Sequence, residues 1–99
     1  MLSQNFFTKD QLLTQSDYQV LRTKDTLYFG GVHNGLKHGL GVLITPHALY
    51  EGSFSLNHKM GKGFAKFPNG SVYVGEFANN RPHGRGLLTF GEEYYMGDF

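Results

Sequence analysis

One spacing constrains this chain more than any other property. A Tyr-x-Gly-x-(apolar) pentad occurs four times, beginning at Tyr28, Tyr50, Tyr73 and Tyr95, at intervals of 22, 23 and 22 residues. A Gly-x-Gly triplet follows each of the first three copies, at Gly39-Leu40-Gly41, Gly61-Lys62-Gly63 and Gly84-Arg85-Gly86. Each triplet begins seven residues after Val32, Phe54 or Phe77, and Pro46, Pro68 or Gly91 lies five residues beyond its second glycine. Two independent signatures that keep one phase through three copies define a repeat, and a repeat of this length is one supersecondary unit that buries its apolar face against its neighbours.

The pentad has a period of two, so it reads as a strand with tyrosine, glycine and phenylalanine on one face: Tyr28 and Gly30, then Tyr50, Gly52 and Phe54, then Tyr73, Gly75 and Phe77, then Tyr95, Gly97 and Phe99. Gly-x-Gly followed by "VLI", "FAKF" or "LLTF" reads as a second strand. The six residues between, "HNGLKH", "SLNHKM" and "ANNRPH", carry Gly35, Asn57 or Asn80 at the third position, residue types that accept the positive φ of a hairpin loop. Each repeat is therefore expected to be a β-hairpin with a six-residue loop, ended by proline in the first two copies. The expected fold is all-β: an elongated, twisted antiparallel sheet of three tandem hairpins with flanking strands. Central glycine in an aromatic strand face is expected to serve as a socket for a ring of the next hairpin.

Residues 1–27 precede the repeats and 28–99 form the array. Within the first segment "TKDQLLTQ" can form a helical turn or two. "YQVLR" at 18–22 reads as a strand, followed by a "TKDT" turn, placed to cap the first hairpin, whose edge would otherwise leave backbone groups unpaired. Ninety-nine residues make one thin-cored domain. Nine basic and eight acidic side chains are too balanced to point to nucleic acid. Cysteine is absent, which removes disulfides and thiolate metal sites and fits a reducing compartment. The N-terminus has no basic segment followed by an apolar one, so it does not read as a secretory signal. Asn69-Gly70-Ser71 matches a glycosylation acceptor but reads better as an Asn-Gly turn.

The combined pattern resembles the MORN repeat, the "membrane occupation and recognition nexus" family, over roughly residues 28–99. Val32 departs from it where an aromatic is expected, and Thr45 stands where the later copies have Phe67 and Phe90, so the first repeat is expected to be loosely packed or to serve as an edge. The fourth copy stops at Phe99, either as a capping strand or as part of a longer protein. The resemblance implies a non-enzymatic, intracellular scaffold that holds another protein within a large assembly, in the cytoplasm, cytoskeleton, cilium or flagellum. It also implies three alternatives: a phospholipid-tethering module, the regulatory segment of a longer enzyme, and a subunit of a mitochondrial complex.

Site chemistry is sparse. Gly61-Lys62 is followed by Gly63, without the hydroxyl a phosphate-binding loop uses on Mg²⁺, and no third glycine opens a helix after Gly41 or Gly63. No cofactor and no small-molecule substrate are expected. His33, His38, His58 and His83 all fall in the expected loops, but adjacent hairpins lie about 9.5 Å apart, too far for shared zinc ligands. Glu51, Glu76 and Asp98 are expected on a wet face opposite the tyrosines, across from Lys62, Lys66 and Arg85. Lys37, Lys59 and Arg81, one per loop, form a mildly basic edge suited to weak contact with anionic phospholipid. Phe29, Leu40, Val42, Ile44, Phe64 and Leu87 alternate out of the tyrosine face, and this second apolar surface is the candidate protein interface.

Overall fold

The computed structural model describes residues 7–99. A short helix α1 (Lys9–Leu13) precedes eight strands: β1 (Tyr18–Arg22), β2 (Leu27–His33), β3 (Leu36–Ile44), β4 (Leu49–Ser55), β5 (His58–Lys66), β6 (Val72–Ala78), β7 (Arg81–Phe90) and β8 (Glu93–Asp98). The strands form one open antiparallel sheet in sequence order. Its principal extents are 39 × 26 × 24 Å. The helix forms where a capping box forms: Thr8 Oγ1 accepts from the Gln11 amide, and the Gln11 side chain accepts from the Thr8 amide.

The repeats lock into register through glycine. Gly30, Gly41, Gly52, Gly63, Gly75, Gly86 and Gly97 pair across seven adjacent strands in one unbroken row. On the tyrosine face the next row is Leu21, Tyr28, Leu43, Tyr50, Ala65, Tyr73, Leu88 and Tyr95. Tyr28, Tyr50, Ala65 and Tyr73 join Val32, Phe54 and Phe77 in the main core, with Leu21, Leu43, Phe67 and Leu88 packed against it. The second face carries the row Val20, Phe29, Val42, Glu51, Phe64, Val74, Leu87 and Met96. Phe7 and Leu12 cover its first part, meeting Val42, Phe29, Leu40 and Leu49.

Three expectations are corrected. The hairpin loops hold two residues, not six: Asn34-Gly35, Leu56-Asn57 and Asn79-Asn80, every one at positive φ. That is the mirror-image turn whose twist matches the flanking strands. The four histidines and Lys37, Lys59 and Arg81 therefore lie on strand ends. The extra residues sit in a bulge instead. Between the Gly30–Gly41 and Val32–Lys37 pairs, β3 contributes more residues than β2, and Gly39 at φ 97° absorbs the excess. Gly61 at φ 84° and Gly84 at φ 88° do the same in β5 and β7. Glu51, expected in water, is 2% exposed, because its row on the second face is buried between Val42 and Phe64. The first repeat is tight: Val32 is buried, and its amide donates to the Asp17 carbonyl at 3.0 Å.

Candidate functional site

The two glycines of each Gly-x-Gly triplet have separate tasks. The first makes the bulge. The second is a platform: a Cβ on Gly63 would stand 2.6 Å from the Tyr50 ring, and Gly41 and Gly86 meet Tyr28 and Tyr73 in the same way. Each ring thus lies over the second strand of its own hairpin, not over the next hairpin as the sequence suggested. Each tyrosine hydroxyl then donates to the carbonyl three residues on: Tyr28 to Gly31 at 2.7 Å, Tyr50 to Ser53 at 2.8 Å, Tyr73 to Glu76 at 2.7 Å and Tyr95 to Asp98 at 3.0 Å. The phenylalanines make the link between repeats. Phe54 meets Tyr28 and Tyr50 edge-on at 5.3 and 5.0 Å, Phe77 meets Tyr50 and Tyr73 at 5.0 and 5.1 Å, and Phe99 meets Tyr73 and Tyr95 at 4.9 and 5.2 Å. Seven rings form one continuous edge-to-face zigzag, the preferred geometry for aromatic quadrupoles. Burial raises the hydroxyl pKa of Tyr28, Tyr50 and Tyr73 above the ordinary phenol value, with the Asp17 carboxylate adding to the effect at Tyr28.

The basic positions belong to this ladder. Lys37 Nζ lies 5.7 Å from the Tyr28 ring centre and Lys59 Nζ 5.3 Å from that of Tyr50, within cation–π range. Burial lowers the Lys59 pKa, and Lys37 lowers it further. Arg81 is not their equivalent, since Pro82 occupies the matching place opposite Phe77. Neighbouring hairpins are also stapled by loop asparagines. Asn57 donates its amide to the Lys37 carbonyl at 2.7 Å and accepts the Lys37 amide on Oδ1 at 2.8 Å; Asn80 repeats the pair on Lys59 at 3.2 and 2.9 Å. His38 Nδ1 accepts the Leu56 amide at 3.1 Å, and the His58 ring meets the Asn80 side-chain amide at 3.0 Å. No cluster suited to a metal ion occurs among the described residues.

The N-terminal segment is fitted by imitation. In the third repeat Glu76 Oε1 accepts the Arg85 amide at 2.9 Å and so steadies the bulge. The first repeat has Gly31 at the position of Glu76. Gln15 enters from outside the repeat, and its Oε1 accepts the Leu40 amide at 2.9 Å while its Nε2 donates to the Leu40 carbonyl at 2.9 Å. This cover was not foreseeable, since nothing in "LLTQSDY" marks Gln15 as a bulge partner.

Of the second-face residues singled out in the sequence, Phe29, Leu40 and Val42 lie under the N-terminal segment and Phe64 is buried in the sheet surface. Ile44 is 38% exposed and Leu87 half-buried. Among the described residues the N-terminal cover reaches Val42 and Leu49 and does not extend to the last two strands. Tyr94 and Met96 are 72% and 63% exposed, and with Leu87, Thr89 and Glu93 they line a shallow trough. Of the charges expected to pair on a wet face, Lys62 lies opposite Glu76 and Arg85 lies 3.5 Å from Asp98, whereas Glu51 is buried and Lys66 lies opposite Leu49 and Val72.

An open sheet of tandem hairpins, each joined to the next by tyrosine, glycine and phenylalanine, defines a β-hairpin repeat module. A sequence model of the MORN repeat matches residues 28–46, 50–72 and 73–92, and the chain belongs to the MORN-repeat family. Repeats of this family form modules that mediate protein or membrane interaction. No individual curated protein matches the chain.

Proposed function

We propose that this chain is a non-catalytic protein-binding module, an adaptor held within a larger assembly. One observation carries the reading: the second apolar face is covered over β2 and β3 by Phe7 and Leu12 but left open over β7 and β8, at Leu87, Tyr94 and Met96. An apolar face that the described residues cover only halfway fits a partner on the remainder. The tyrosine face is the weaker candidate, since Tyr28, Tyr50 and Tyr73 are each 1% exposed. A cytoskeletal or axonemal setting suits a module of this family, and it is part of the proposal. The lipid alternative has less support, because Lys37 and Lys59 are engaged over tyrosine rings.

The test is capture of partners from the native source with tagged wild type and with a Leu87→Ser/Tyr94→Ser variant of unchanged melting temperature. Specific protein partners lost in the variant are the expected result. Equal recovery by both, or binding to anionic vesicles that survives physiological salt and falls with Lys37→Gln/Lys59→Gln, would favour another surface or the membrane.

A further inference from the structure

The middle hairpin turns on an unexpected residue. Its first turn position is Leu56, at φ 46°, where the first and third hairpins have Asn34 at φ 51° and Asn79 at φ 50°. Asparagine accepts this left-handed conformation, whereas a leucine there brings its Cβ close to the following carbonyl oxygen. Leu56 is also 50% exposed. An exposed leucine is ordinary on a protein surface; one held in solvent against its own backbone preference is not. The neighbouring hairpin holds it there. The Leu56 amide donates to His38 Nδ1 at 3.1 Å, the Asn57 amide donates to the Lys37 carbonyl at 2.7 Å, and Asn57 Oδ1 accepts the Lys37 amide at 2.8 Å. Three hydrogen bonds therefore fix the turn, and the leucine is presented from a rigid base. The Asn79-Asn80 turn makes the same bend without a leucine, so Leu56 serves something other than the fold.

The surroundings are positive. The three turn segments, 33–38, 55–60 and 78–83, contain Lys37, Lys59, Arg81 and four histidines, and no aspartate or glutamate. Their other large aliphatic side chains, Leu36 and Met60, are half-buried. Leu56 is thus an apolar projection at the middle of a positive edge.

We propose that Leu56 anchors a second protein interface, entering an apolar pocket of a partner whose rim carries carboxylates. This surface is separate from the open second face over β7 and β8, and neither site needs the other. The anchor supplies affinity by burial, and its fixed base lowers the entropy cost of docking. The positive edge steers and orients an acidic partner. Lys37 and Lys59 add to that field from their places over the tyrosine rings, and Arg81 is exposed for direct pairing. A bilayer gains too little from one leucine to be held by it.

The test has two arms, both on the full chain. Leu56→Asn copies the turn of the third hairpin and should raise the melting temperature by about 4–8 °C. An unchanged or lowered melting temperature would show that the leucine is not held under strain and would overturn the proposal. In the second arm a photoreactive diazirine analogue of leucine at position 56 labels complexes in extracts of the native source, and the labelled peptides are sequenced. Adducts are expected on segments with more Asp and Glu than Lys and Arg. Capture of the same protein should fall about tenfold or more with Leu56→Asn and Leu56→Ser, while Leu56→Met, which keeps the apolar bulk, retains it. Higher salt should weaken the capture. Absence of adducts, adducts on basic segments, equal capture by all variants, or Leu56-dependent binding to mixed phosphatidylcholine–phosphatidylserine vesicles in place of a protein would each overturn it. If Leu56→Asn changes no partner while Leu87→Ser/Tyr94→Ser still loses them, the protein-binding reading stands and only the turn site falls.

Discussion

Glycine at the centre of an aromatic strand looks like a weakness until the atoms around it are named. A Cβ on Gly75 would stand 2.5 Å from Gly86 Cα and 2.6 Å from the Arg85 carbonyl oxygen, both backbone atoms that cannot turn aside. Gly75→Val raises local strand propensity, yet overpacking should cost about 1–3 kcal/mol or more. Urea denaturation reads the sign directly, and a stabilised variant would dismiss the close-approach account. Tyr50→Phe is a finer probe. It keeps the ring in the zigzag and removes only the hydroxyl that reaches Ser53, so a loss of about 1 kcal/mol is expected. These residue contacts were half legible. Tyrosine, glycine and phenylalanine on one face follow from a period of two, whereas which hairpin's glycine receives which ring depends on a register that no single strand contains.

At the scale of elements, the hairpin is shaped by where its irregularity falls. Six residues between the two signatures suggest a wide loop. The chain instead makes a two-residue turn and spends the surplus in a glycine bulge, because positive φ is available at both Asn-Gly-type turns and the first triplet glycine. Asn57 then serves turn and staple together, at φ 76° and with two hydrogen bonds to Lys37. Asn57→Ala should lose about 1–3 kcal/mol in thermal or urea unfolding, from backbone strain and the missing acceptor together. The N-terminal helix is held by apolar contact, not by its five-residue length. Leu12, 2% exposed, anchors it, and Leu12→Ala should cost about 2–5 kcal/mol and raise binding of a hydrophobic dye as Val42 and Phe29 lose their cover.

For the whole molecule, the ladder makes stability sensitive to alkali. Burial holds the phenols of Tyr28, Tyr50 and Tyr73 above their reference pKa of 10.0, so the folded chain keeps protons that the unfolded chain releases. Their contribution is complete below pH 10 and is lost as pH rises toward the folded pKa values. Lys59 acts in the opposite sense: its pKa is lowered from 10.5, so its contribution improves as pH approaches that value. Three tyrosines against one lysine give a net loss. Stability measured by urea titration should fall above pH about 10, with the tyrosinate absorbance of the three buried rings, Tyr28, Tyr50 and Tyr73, appearing together with unfolding.

The sequence by itself determined the repeat length, the hairpin, the all-β class and the family, because those follow from local periodicity and from glycine and asparagine at fixed offsets. It also separated the two faces of the sheet. Tertiary structure decided what each face is for. The tyrosine face is sealed by its own neighbours, Glu51 is buried by its cross-strand neighbours, and Gln15 takes over the bulge bond that Gly31 cannot make. Tyr95 shares the hydroxyl bond and ring contact of Tyr28, Tyr50 and Tyr73, yet it is 52% exposed where they are 1%. Burial depends on the neighbour across the sheet, as Leu43 is for Tyr28 and Phe64 for Glu51, and that neighbour belongs to another strand.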